Sequence, residues 1–179
     1  MARVEQIAHR HLDAVWRTAR GLGVPSADLE DIVQEVMLVC VRRLNDIEPA
    51  RERAFLLATA TRVVANWRRG RRRRPAEPLG HIDELELYPL AACHEAEGPA
   101  EALEHKRELE LVQAALEQMT DGQRVAFTLF EIEGLTAREI AEELGVTEAV
   151  VFARVQRGRA VFQRCVARAS LPTQSGRSG

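Results

Sequence analysis

The stretch Leu135-Thr136-Ala137-Arg138-Glu139-Ile140-Ala141-Glu142-Glu143-Leu144-Gly145-Val146-Thr147 limits the possible folds of this chain more than any other. Thr136 followed three residues later by Glu139 forms a capping box, in which each side chain satisfies a backbone amide of the same helical turn. Ile140, Ala141 and Leu144 give a short helix with a small residue at its centre, where another helix can pack closely. Gly145 supplies the left-handed backbone position that turns the chain. Val146 is placed to plug that turn, and Thr147 to cap the next helix. Helix, glycine turn and capped helix in this order predict a helix-turn-helix.

The helix expected next, over about 148–166, would bury Val151, Val155 and Phe162, with Gly158 on the same stripe. Its other side would show Arg154, Arg157 and Arg159, with Gln156 beside them. Such a helix fits the major groove, where Arg and Gln read base edges and Arg also holds phosphate. The bland alternative is a helical hairpin whose arginines only solvate its surface.

Upstream, the pattern is again helical. Ile7, Leu12, Val15, Trp16 and Ala19 mark the apolar side of a helix over about 4–20, stopped by Gly21, Gly23 and Pro25. Ser26 is placed to cap a second helix. There Leu29, Ile32, Val33, Val36, Met37, Cys40, Val41 and Leu44 follow helical spacing without a break. The opposite face presents Asp28, Asp31, Gln34, Glu35 and Arg42. A loop over 45–50 leads to a third helix over 52–69. Phe55, Leu56, Thr59, Val63 and Trp67 would face its core, and Arg62, Asn66, Arg68 and Arg69 would face outward. This helix runs into the cluster Arg68, Arg69, Arg71, Arg72, Arg73 and Arg74. Trp67 reads as core, or as a surface on which a base could stack.

From residue 75 to about 99 the helical period is lost. Pro75, Pro78, Gly80, Pro89, Gly98 and Pro99 punctuate an acidic stretch that reads as a linker. A second helical unit resumes near Ala100, with a stripe of Leu109, Val112, Leu116 and Met119. Thr120 or Asp121 would cap a helix through Phe130, ended by Gly134. The resulting fold class is all-α: two small helical domains, 1–74 and 101–168, joined by an acidic linker over 75–100. A disordered tail is expected over 169–179.

The net charge of −2 hides this asymmetry, because charges at physiological salt interact over only about 8 Å. No apolar run is long enough to span a membrane, and the charged N-terminus lacks the apolar core of a signal peptide. A cytoplasmic protein is expected. Cys40, Cys93 and Cys165 fit neither a disulfide framework nor a zinc pattern, and Cys93-His94 has no companion pair. No metal and no cofactor are expected. The acidic face around Asp31 and Glu35 points outward with no histidine or glycine loop nearby, so it reads as a docking surface for a basic partner. No catalytic residue and no enzyme activity are expected.

Both halves resemble one family. Asp28-Leu29-Glu30-Asp31-Ile32-Val33-Gln34-Glu35-Val36 is similar to the D-x-E-D-x-x-Q-E signature of region 2 in sigma factors of the extracytoplasmic-function (ECF) group. Phe55 to Arg74 resembles the helix after it. Gln123-Arg124, Glu133-Gly134-Leu135-Thr136 and Leu144-Gly145-Val146-Thr147 resemble region 4. The resemblance implies a factor that brings core RNA polymerase to promoter DNA and helps to melt it. Asp28, Asp31, Gln34 and Glu35 would dock the polymerase clamp. The loop before the third helix, with Arg53, Arg62, Asn66, Arg68, Arg69, Arg71 and Arg72, would meet the −10 element. Thr147, Phe152, Arg154, Gln156, Arg157 and Arg159 would serve the −35 element. An anti-sigma factor would be a further partner. The chain departs from the family at Thr61-Arg62, where an Arg-Asn pair is frequent, and at Thr120, where proline is. Val150 and Phe152 stand where polar residues are common. The competing function is a self-contained helix-turn-helix regulator that binds duplex operator DNA without polymerase.

Overall fold

The computed structural model describes residues 2–73 and 99–170. Residues 75–98 of the linker expected over 75–100, with Cys93 and His94, lie outside them, as do Arg74 and residues 171–179 of the expected tail. The described residues form helices and turns, with no strand among them.

The N-terminal domain is built from α1 (Ala2–Gly21), α2 (Ser26–Arg42) and α3 (Glu52–Arg73). Gly23 turns the chain after α1 with φ +83°, a conformation that suits glycine. Leu22 and Val24 on either side of it are buried. The cap of α2 differs from the sequence expectation. Pro25, in extended conformation, occupies the cap and Ser26 becomes the first helical residue, with no side-chain cap bond. Asp28 in the first turn still complements the helix dipole.

On α2, Leu29, Ile32, Val33, Val36 and Cys40 are buried as expected. Val41 is not: it is 50% exposed, and Leu38 is 48% exposed. The packed stripe follows 29, 33, 36 and 40, and Val41 is one step, about 100°, past its edge. The loop over 45–50 contains two tight 3-10 turns, Leu44–Asp46 and Pro49–Arg51. Arg3 staples this loop to α3. Its guanidinium donates to the Leu44 carbonyl at 3.0 Å, to the Ile47 carbonyl, and to the Glu52 carboxylate at 3.1 Å.

Helix α3 runs four residues beyond its expected end at 69. Between Ala54 and Val64 it is buried almost all round. A helix covered on every side has partners on every side. Here α1 and α2 pack on one side and the C-terminal domain on the other.

The C-terminal domain comprises α4 (Pro99–Glu117), α5 (Asp121–Phe127), α6 (Ala137–Leu144) and α7 (Glu148–Ala169). Thr120 caps α5 in a second capping box, closed by Gln123. The helix expected to continue through Phe130 instead widens into a π turn over Thr128–Ile132. Phe127, just before the turn, stacks on Phe162 of α7 with ring centroids 5.6 Å apart. At Gly158 of α7 a Cβ would stand 3.1 Å from the Phe127 ring, so the absent side chain is what admits this contact.

Two hydrophobic clusters result. The smaller joins Ala115, Leu116, Met119, Phe127, Val161 and Cys165 within the C-terminal domain. The larger runs through both domains, from Val15, Leu22, Leu57 and Val64 to Leu129, Leu135, Ile140, Val151 and Val155. The sequence left the relative placement of the two domains open. The structure joins them through one core.

Candidate nucleic-acid and polymerase interface

The helix-turn-helix forms as the sequence dictates. Glu139 N–H donates to Thr136 Oγ1 at 3.2 Å, and Glu139 Oε2 accepts from Thr136 N at 2.8 Å and from its hydroxyl at 2.6 Å. Gly145 has φ +68°, and Val146 N donates to the Ala141 carbonyl at 3.0 Å. Thr147 Oγ1 accepts from Val150 N at 3.4 Å.

The capping box also gives a pH dependence. Bonds from the Thr136 hydroxyl, and then from its backbone N–H, hold the Glu139 carboxyl below the usual carboxylate range. A depressed folded-state pKa contributes stability above the unfolded value of about 4.3, and that contribution is lost as pH falls through the folded value. Thr136→Ala is therefore expected to cost about 0.5–2 kcal/mol near neutral pH. It should also flatten part of the loss of stability in acid. Urea melts of both proteins at neutral and acid pH check this.

On α7 the outward surface carries Ala149, Phe152, Ala153, Gln156 and Arg157. Phe152 is 47% exposed and meets the Phe130 ring edge-on. The sequence grouped Arg154 and Arg159 with Arg157, but the structure separates them. Arg154 is half-buried, with its guanidinium against the first turn of α5 at Gly122. Arg159 donates to Glu131 Oε1 at 2.7 Å and lies over the Phe130 ring. Residues five apart on a helix differ by about 140°, so these two arginines fall on opposite flanks.

Five of the six arginines expected at the −10 element, Arg53, Arg62, Arg68, Arg69 and Arg71, make contacts within the chain. Arg53 NH2 donates to Glu133 Oε2 at 2.9 Å, and its NH1 to the Glu133 carbonyl. Arg62 donates to the Glu143 carbonyl. Arg68 pairs with Asp121 at 2.6 Å and donates to the Leu22 carbonyl. Arg69 donates to exposed Asn66. Arg71 lies over the Trp67 ring and pairs with Asp28 at 2.7 Å. Trp67 itself is half-buried against the larger core. Arg72 lies in the last turn of α3.

On α2, Asp31, Gln34 and Glu35 are exposed, and Leu38 and Val41 continue the same surface. Asp28 stands apart from them, half-buried and held by Arg71. The sequence reading missed Leu38, although its spacing from Gln34 and Val41 was legible. It named Glu133 only within the region 4 resemblance and missed its contact, for the side chain is wholly buried between Arg17 and Arg53. No local periodicity marks that contact, because its partners are 116 and 80 residues away.

Residues 7–74 match the family model for sigma-70 region 2, and residues 109–161 the model for sigma-70 region 4. The RNA polymerase sigma factor CnrH of Cupriavidus metallidurans is 32% identical over 160 residues, covering 87% of this chain and 82% of CnrH. This chain belongs to the ECF group of sigma-70 family sigma factors. The ECF sigma factor SigE of Mycolicibacterium smegmatis is 31% identical over 94% of the chain and 63% of SigE. Among solved structures, CnrH in complex with the cytosolic domain of CnrY superposes with a TM-score of 0.64 at 25% identity, over 93% of this chain and 89% of CnrH. RpoE from Bartonella quintana, in complex with the anti-sigma factor NepR, shares the fold with a TM-score of 0.72 at 20% identity, over 93% of this chain and 98% of RpoE.

The sigma factor is thus a promoter-directing transcription initiation factor of the two-region type. Its region 2 match spans α1 to α3, and its region 4 match runs from α4 into α7. Among the described residues no helix is long and apolar enough to cross a membrane.

Proposed function

We propose the following division of labour for this ECF sigma factor. The domain over 1–74 docks core RNA polymerase through Asp31, Gln34 and Glu35 of α2, with Leu38 and Val41 extending the contact. Its α3 and the turn before it take the −10 element with Arg53, Arg62, Asn66, Arg68, Arg69, Arg71 and Arg72. The domain over 101–168 reads the −35 element with α7. Gln156 and Arg157 face the bases, Phe152 offers an apolar contact to a thymine methyl, and Thr147, Arg154 and Arg159 flank them. Residues 75–100 link the two domains. Asp28, in the first turn of α2, joins the docking surface at its edge and also holds Arg71 of the −10 set. No chemical reaction is assigned to the protein, and it acts in the cytoplasm, where polymerase and chromosome are. An anti-sigma partner follows from CnrH and RpoE, each of which was captured in complex with such a protein or with the cytosolic domain of CnrY.

The observation that carries this reading is the pairing, in one chain, of an exposed acidic face on α2 with an exposed recognition helix on α7. A self-contained regulator needs only the second. The test adds purified protein to core RNA polymerase and a promoter library, and sequences the transcript start sites. Discrete starts that depend on the protein are expected. Tight binding to duplex operator DNA without polymerase, and no dependent starts, would overturn the reading in favour of the regulator.

A further inference from the structure

Part of the region 2 surface proposed for the −10 strand is engaged by the C-terminal domain in this structure. Arg51, Arg53, Arg62 and Arg68 lie along α3 and the turn before it. Each meets an oxygen of the C-terminal domain. Arg51 pairs with Glu142 at 3.0 Å and Glu143 at 3.1 Å, Arg53 with Glu133, Arg62 with the Glu143 carbonyl, and Arg68 with Asp121. Arg17 of α1 adds a two-point grip on Glu133, with both distances 3.1 Å. A row of guanidinium groups facing a row of carboxylates has the same chemistry as guanidinium groups facing phosphates.

The contact also holds features that oppose it. Arg68 and Arg124, one from each domain, converge on the Leu22 carbonyl over side-chain-free Gly23. Burial, and then the neighbouring Arg68 charge, lower the Arg124 pKa. The Thr128 hydroxyl, facing Gly21, is buried without a hydrogen-bond partner. An unpaired buried hydroxyl costs about 1–3 kcal/mol, which water would relieve if the domains parted. Beside these groups lies a crevice of about 250 Å³, lined by Leu22, Val64 and Arg68 of one domain and Asp121 and Val125 of the other. Packing is open at this edge of the seam, where ion pairs add to the shared apolar core.

We infer that the arginine row of α3 is a single docking surface with two mutually exclusive occupants. In the free chain it holds the carboxylate edge of the chain's own C-terminal domain. In the initiation complex it holds the sugar–phosphate backbone of a melted DNA strand. The sigma factor is therefore masked by itself before any partner binds. This inference rests on the −10 assignment above, and its test separates the two.

The test compares the full chain with a Glu133→Gln, Glu142→Gln, Glu143→Gln variant. Small-angle X-ray scattering reads the radius of gyration, and fluorescence anisotropy reads binding of a labelled mixed-sequence single-stranded oligonucleotide. The variant is expected to expand and to bind the strand at least about fivefold more tightly, because three anionic competitors are gone and no cation was added. If it expands and its strand affinity stays at the wild-type value, the shared surface is refuted. A compact variant with unchanged affinity refutes it too.

Should the triple variant misfold, charge exchange replaces it. Glu142→Arg with Glu143→Arg should open the chain, and adding Arg51→Glu should close it again. Failure of this rescue refutes the ionic latch. Protein-dependent starts with core polymerase, measured in parallel on the wild type, show whether a negative result belongs to the masking alone or to the sigma assignment itself.

Discussion

Reversing Asp31 and Glu35 together to arginine is expected to cut the affinity for core RNA polymerase about a hundredfold, roughly 3 kcal/mol. Both carboxylates are exposed on α2, away from the core stripe of Leu29, Ile32, Val33, Val36 and Cys40. Folding stability should therefore change by no more than about 0.5 kcal/mol. Complementary charge across an interface sets orientation and encounter rate, so reversal replaces an attraction with a repulsion on the same surface. The measurement is a binding titration with core polymerase, run beside a thermal melt. Wild-type affinity in a normally folded variant would refute α2 as the docking helix. Promoter-dependent transcription should fall in step with binding.

The second large effect concerns the joint between the domains. Leu129 is 1% exposed and belongs to the core cluster that runs through both halves. Leu129→Ala should lower the unfolding free energy by about 2–5 kcal/mol, through lost burial and the cavity left behind. Urea denaturation of the full chain measures it. A loss below about 1 kcal/mol would mean that this side chain is not packed in solution as it is here. The variant should also loosen the contact between α3 and the C-terminal domain, because Leu129 is packed in the core that the two domains share.

Much of this architecture was legible because its causes are local. The capping box of Thr136 and Glu139, the left-handed Gly145 and the cap at Thr147 each act within three or four residues, and all formed as read. The buried stripe of α2 likewise follows from helical spacing. The sequence reading failed where the cause is distant. Arg53, Arg62 and Arg68 look free along α3, yet their partners lie 80, 81 and 53 residues further on. Arg154 and Arg159 are a different case: their five-residue spacing alone sets them about 140° apart, and Gly122 of α5 and Glu131 then engage them on the two flanks. Pro25 displaced Ser26 from the cap because an extended proline already supplies the entry to α2.

The π turn over Thr128–Ile132 has a mechanical consequence. A widened turn accommodates one residue more than a regular helical turn would, and each residue of an α-helix advances the chain by about 100°. Phe127 before it points to one cluster and Leu129 within it to the other. The bulge therefore works as a phase shifter, fixing the azimuth at which everything downstream is aimed. Deleting one residue there would regularise the coil and swing the reading helix by about a quarter-turn, leaving its chemistry intact but directed past the groove.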